Sequence, residues 1–151
     1  MKTFGTVAEV LDFAISREEE AIRFYRELAT KADKGWIKEL LESFAREEEG
    51  HRAKLQALKE GKGFLKPGQK VTDLAIADYI VEAPAGGELS YQDALVLAMK
   101  REKAAFKLYS DLARSAAEPA LRDALLAMAQ EEAKHKLRFE LEYDEQVLKE
   151  N

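Results

Sequence analysis

The feature that most restricts how this chain can fold is an acidic and histidine pattern that occurs twice in the same register. Glu18 is followed by Glu48-x-x-His51, and 84 residues further on Glu102 is followed by Glu132-x-x-His135. The two histidines are the only ones in the sequence, and each stands three residues after one glutamate and 33 after another. Without any gap, the same offset pairs Leu11 with Leu95, Arg17 with Arg101, Ala21 with Ala105, Tyr25 with Tyr109, Leu28 with Leu112, Leu41 with Leu125 and Glu47 with Glu131. The chain therefore reads as two copies of one unit.

Each unit has the periodicity of a helical hairpin. Thr6-x-x-Glu9 and Ser90-x-x-Asp93 are N-terminal capping signals, and Pro119 is tolerated in a first helical turn. The apolar seams are Val7, Leu11, Ala14, Ala21, Tyr25 and Leu28, then Ile37, Leu41, Phe44, Leu55 and Leu58. In the second copy they are Leu95, Ala98, Ala105, Tyr109 and Leu112, then Leu121, Leu125, Met128 and Phe139. The glutamates and histidines of the repeat fall on these seams. Short breaks, Ala32 to Gly35 in the first copy, join antiparallel neighbours. The expected fold is all-α: one domain over 1–151, an antiparallel four-helix bundle of two pseudo-two-fold-related hairpins, 6–60 and 90–149. A crossover, 61–89, joins them, with a short helix expected from Thr72 to Val81. It is long enough to travel the length of a bundle, and helix three is expected to start at the same end as helix one. It is also long enough to reach a neighbouring subunit, so a homodimer with exchanged hairpins is an open arrangement.

Composition narrows the function. A net charge of −5 leaves no broad basic face for phosphate backbones, so no nucleic-acid partner is expected. No apolar run approaches the roughly 20 residues of a membrane span, and Met1 to Phe4 do not open a signal peptide; a cytoplasmic protein with no membrane partner is expected. Zero cysteines exclude thiolate zinc sites, iron–sulfur clusters and thiol nucleophiles.

The remaining chemistry is that of oxygen and nitrogen ligands. A three-residue step on a helix turns about 300° and rises about 4.5 Å, so Glu48 with His51, and Glu132 with His135, project from one face toward a common point. With Glu18 and Glu102 they form the ligand list of a two-metal centre inside a four-helix bundle. Two divalent ions would neutralise four carboxylates that are costly to bury unpaired. Iron or manganese suits this donor set, and zinc would also bind. Glu47 and Glu131 are placed to accept the free N–H of the other copy's histidine. Tyr25 and Tyr109, two turns after Glu18 and Glu102, can donate to a ligand carboxylate or serve as core aromatics. Arg17 and Arg101 read as surface charges, and Trp36 as packing.

Glu18-x6-Tyr25 with Glu47-Glu-Glu-Gly-His51, repeated as Glu102-x6-Tyr109 with Glu132-x-x-His135, resembles the diiron domain of the rubrerythrin family in the ferritin-like superfamily. The resemblance covers nearly the whole chain. It implies two iron ions, with Glu48 and Glu132 bridging and Glu18 and Glu102 terminal. It also implies oxidation by hydrogen peroxide or dioxygen, proton relay through Tyr25 or Tyr109, re-reduction by an electron-transfer protein such as rubredoxin, and a homodimer or larger assembly. Two departures stand out. Family members typically carry a cysteine-ligated rubredoxin domain, for which this sequence has no cysteine, so electrons would come from a separate protein. A further family glutamate is replaced by Met99, with Ile15 at the matching place. Three functions follow as expectations: a diiron peroxidase, a dioxygen-dependent ferroxidase or iron-handling protein of ferritin type, and a non-catalytic bundle of buried Glu–His hydrogen bonds.

Overall fold

Helix α1, Val7–Lys31, begins where its cap predicts. The Thr6 hydroxyl accepts from the Glu9 backbone N–H at 3.3 Å, and the Glu9 carboxylate reaches back to the Gly5 N–H at 2.6 Å. Helix α2, Gly35–Lys59, follows after three residues, and its first residue is the glycine expected to end the break. Ser90 caps helix α3, Tyr91–Arg114, by accepting from the Asp93 N–H at 3.0 Å. Pro119 opens helix α4, Pro119–Glu150. These elements come from a computed structural model that describes residues 3–60, 74–83, 89–116 and 118–150.

α1 packs on α2 and α3 on α4 as two hairpins, and α1 also meets α3. The result is the expected all-α four-helix bundle. Its apolar interior is divided in two. One cluster joins the start of α1 (Val7, Leu11) and the end of α2 (Leu55) to the end of α3 (Leu108, Leu112) and the start of α4 (Leu121, Leu125). The other joins the end of α1 (Ile22, Leu28) and the start of α2 (Ile37, Phe44) to the start of α3 (Ala94, Leu95) and Phe139 of α4. The seam glutamates and histidines lie between them. The seams are as read, except that Ala21, Ala105 and Leu58 are only half-buried.

This pairing of ends corrects one expectation. α3 starts at the end where α1 finishes, so the two run antiparallel rather than starting together. A crossover leaving the end of α2 and travelling the whole bundle must deliver the chain to that far end. A pseudo-two-fold axis across the helices relates the hairpins in just this way.

The crossover departs from expectation a second time. Thr72 and Asp73 lie outside the described residues, and the rest of the expected helix is a single 3-10 turn, Ile76–Tyr79, flanked by extended Ala75 and Ile80. The competing interaction is with the N-terminal residues. Ala75 bridges to Thr3, and the Phe4 N–H donates to the Leu74 carbonyl at 3.1 Å. Backbone groups committed to that pairing are unavailable to an α-helix. The turn is then held to α3, where the Tyr79 hydroxyl donates to the buried Asp111 at 2.7 Å. Lys107 at 2.9 Å and Arg114 complete the partners of that carboxylate.

Leu112 is fully buried in the first apolar cluster. Leu112→Ala is expected to cost about 2–5 kcal/mol of unfolding free energy by chemical denaturation of the metal-free protein, with helical circular dichroism at low denaturant unchanged.

Candidate metal centre

Midway along the bundle, all six seam residues converge. Glu18, Glu48, His51, Glu102, Glu132 and His135 are each no more than 2% exposed. One donor atom each from Glu18, Glu48, His51 and Glu132 lies within 4.8 Å of the others, and the same is true of Glu48, Glu102, Glu132 and His135. Glu48 and Glu132 stand in both groups. Glu18 and Glu102 stand in one each. His51 Nδ1 is 3.2 Å from Glu48, 3.1 Å from Glu132 and 3.8 Å from Glu18; His135 Nδ1 is 3.8, 4.0 and 3.7 Å from Glu48, Glu132 and Glu102. Donors about 2.1 Å from an octahedral ion stand about 3 Å apart, so a modest contraction brings each group to coordination distance.

A second layer of hydrogen bonds crosses between the hairpins. His51 Nε2 on α2 pairs with Glu131 on α4 at 2.6 Å, and His135 Nε2 on α4 pairs with Glu47 on α2 at 2.5 Å. Tyr109 on α3 donates to Glu18 on α1 at 2.5 Å, and Tyr25 on α1 donates to Glu102 on α3. A histidine whose Nε2–H donates to a carboxylate presents the Nδ1 lone pair to the centre.

The atoms left over test whether these residues fit metal ions. Each of the six leaves one buried atom without a hydrogen-bond partner: Oε2 of Glu18 and Glu102, Oε1 of Glu48 and Glu132, and Nδ1 of both histidines. Buried polar atoms are almost always paired, and six unpaired donors from six converging residues fit a dinuclear metal site.

Electrostatics agree. Burial, then repulsion from Glu132, pushes the Glu48 carboxyl up to about 8. Burial also raises Glu18, Glu102 and Glu132 well above the ordinary carboxylate range, with Glu48 adding to Glu18, Glu18 to Glu102, and Glu102 to Glu132. Burial opposes a charged His51, but Glu48, Glu18 and Glu131 outweigh it and raise the imidazole to about 9. Protons thus occupy part of the charge balance that cations would supply.

A cavity of about 40 Å³ reaches the centre from the α1–α3 side and touches Glu18, Glu48, Glu102 and Glu132, but neither histidine. Arg17 and Arg101 stand in its wall, which corrects their reading as plain surface charges. Arg17 lies over the Phe13 ring and pairs with Glu20 at 3.1 Å; Arg101 lies over the Phe24 ring. Their recurrence at the repeat offset was the signal in the sequence. Trp36 is half-exposed beside Lys34 rather than packed inside. Ile15 is buried and Met99 half-buried, both in apolar clusters beside the centre. No described helix is long and apolar enough to cross a membrane.

Comparison with known proteins agrees with this geometry. The model of the rubrerythrin family matches residues 9–78 and 93–151. Among solved structures, a Thermotoga maritima protein described as ferritin-like diiron-carboxylate superposes with a TM-score of 0.78 at 22% identity, over 97% of this chain and 99% of its own. A hypothetical protein from Pyrococcus furiosus gives 0.73 at 27% identity, over 91% and 88%. A manganese catalase from Anabaena gives 0.61 at 18% identity, over 94% and 74%. No curated protein matches the chain.

The pH dependence of stability follows from the raised groups. Between 4.5 and about 8 the native Glu48 holds a proton that the unfolded chain has lost, so unfolding free energy falls as pH rises. His51 adds the same sign between 6.5 and about 9. The urea midpoint of the metal-free protein is expected to drop from about pH 5 to about pH 8, as its unfolding free energy falls by up to ~1.4 kcal/mol per pH unit for each such group. Metal affinity is expected to rise over the same range, because ligands bind deprotonated. A metal-free midpoint that climbs with pH would contradict the protonated centre.

Proposed function

The chain belongs to the rubrerythrin family, and from that premise we propose that its four glutamates and two histidines hold two iron ions and reduce hydrogen peroxide to water. The observation that carries the reading is the double membership of Glu48 and Glu132, flanked by one terminal glutamate and one histidine on each side. That is the donor arrangement of a bridged pair of ions. The overall change is H2O2 + 2H+ + 2e− → 2H2O. Two bound ferrous ions would supply both electrons and polarise the O–O bond.

The protein supplies position and protons. Glu18 and Glu102 are the terminal ligands, each fixed by a tyrosine hydroxyl from the other hairpin. Burial and the charge of Glu18 push the Tyr109 phenol well above its ordinary range, so it keeps its proton and remains a donor. Tyr25 and Tyr109 both line the cavity and keep a proton one hydrogen bond from a ligand carboxylate, where a departing oxygen requires it. Glu47 and Glu131 fix the histidine tautomer and raise its basicity. None of the 151 residues is a cysteine, so they hold no thiolate-bound iron of their own, and re-reduction is assigned to a rubredoxin-type carrier outside them.

Peroxide is favoured over a ferroxidase role by the cavity wall. A ferroxidase must pass ferrous ions repeatedly to its centre, whereas here the cavity wall outside the four ligand carboxylates holds two guanidiniums, Arg17 and Arg101, against the single carboxylate of Glu20. That balance disfavours cations and admits a neutral molecule. Because the fold is shared with a protein named as a manganese catalase, manganese loading belongs in the same trials.

Anaerobic loading with ferrous iron, desalting and plasma mass spectrometry is expected to give about two irons per chain. Glu48→Ala with Glu132→Ala is expected to hold none, and retention of two would refute the ligand assignment. Stopped-flow oxidation of the loaded protein is expected to be faster with hydrogen peroxide than with dioxygen at equal concentration. Faster oxidation by dioxygen would move the assignment to the ferroxidase class.

A further inference from the structure

The cavity crosses between α1 and α3 where the repeat places the same small side chain on both helices. Ala21 and Ala105 form its walls, Arg17 and Arg101 flank them, and Tyr79 and Val81 of the crossover complete the lining. Behind them are the unpartnered buried oxygens of Glu18, Glu48, Glu102 and Glu132. The alanines stand beside large buried neighbours, Ile22 on α1 and Leu108 on α3, yet are themselves only half-buried. A larger apolar residue at either place would bury more surface and stabilise the bundle. Its absence on both helices keeps a passage open. At about 40 Å³ the space has room for about three water-sized groups, since a water needs roughly 10–15 Å³ by this kind of measure; that admits hydrogen peroxide and is too small for a branched alkyl hydroperoxide.

We propose that the oxidant enters between α1 and α3 and that Ala21 and Ala105 set its size limit, passing hydrogen peroxide and excluding hydroperoxides that carry a branched alkyl group. The identity of the oxidant rests on the peroxide reading above; the passage itself does not. Among the described residues, the opposite side of the centre carries larger side chains. Phe44 stacks on His135 with ring centroids 4.0 Å apart, and Met128, at the matching place of the repeat, is buried.

The test uses the iron-loaded protein and four variants. Ala21→Leu and Ala105→Leu narrow the passage, Ala105→Gly widens it, and Ala127→Leu on the exposed face of α4 controls for added bulk. Iron content is expected to stay at the wild-type level in all of them. Binding of azide, followed by its absorption band, is expected to slow by about tenfold or more in the two narrowed variants and to be unchanged in the control. Crystals under xenon are expected to show an atom between Ala21 and Ala105 in the wild type and none in Ala105→Leu. With tert-butyl hydroperoxide the wild type is expected to react at least about a hundredfold more slowly than with hydrogen peroxide, and Ala105→Gly to narrow that gap.

Wild-type azide rates in folded, fully loaded Ala21→Leu and Ala105→Leu would overturn the passage. Equal wild-type rates with the two peroxides would overturn the size limit. Should Ala105→Leu fail to fold, Ala21→Leu and Ala105→Gly decide the same points. If the wild type reacts with neither peroxide, the proposed function fails, while azide and xenon still decide the passage.

Discussion

Everything in this bundle is arranged around the cost of keeping four carboxylates away from water. An unpaired buried carboxylate is penalised by several kcal/mol, far more than any one helix cap contributes, and four in contact repel as well. The protein does not dilute that penalty by exposing the centre. It seals it between two apolar clusters, one at each end of the bundle, and leaves charge balance to protons or metal ions. The apolar ends supply the folding free energy, and the middle layer draws on it.

Support for the centre is strictly crosswise. Each histidine is oriented by a glutamate of the other hairpin, and each terminal glutamate by a tyrosine of the other hairpin. Neither hairpin alone can orient its own ligands. Docking of the two hairpins and completion of the centre are therefore one event, and a ligand that binds only the docked state stabilises the whole fold.

How much of this is legible in the sequence depends on the range of the interaction. Local signals read well: the caps at Thr6 and Ser90 and the opening proline at Pro119 act within one helical turn. The ligands are legible too, because a seam interrupted by Glu and His in duplicate is a periodic pattern. The direction of α3 is not local; it depends on where a 29-residue crossover delivers the chain, and length alone permits either end. The conformation of the described stretch around Leu74 and Ala75 is decided by Thr3 and Phe4, some 70 positions away, against a weak helical preference. Arg17 and Arg101 read as surface charges because a guanidinium stacked on a ring differs from a solvated one only in its surroundings, and their recurrence at the repeat offset is the one mark that sets them apart.

The crosswise pairing also bears on how such a chain can arise. Two copies of a single such hairpin, associated about a two-fold axis, would bring together the same four glutamates and two histidines, since a two-fold interface gives residue i of one copy the environment of residue i of the other. Joining the copies end to end changes no ligand. What it adds is freedom for the halves to differ. That freedom is visible at Phe44 and Met128, and again at Ile15 and Met99, where a symmetric dimer would be obliged to use one side chain twice. The crossover is thus more than a connection: by making the two halves distinguishable, it lets one side of the centre be tuned without altering the other.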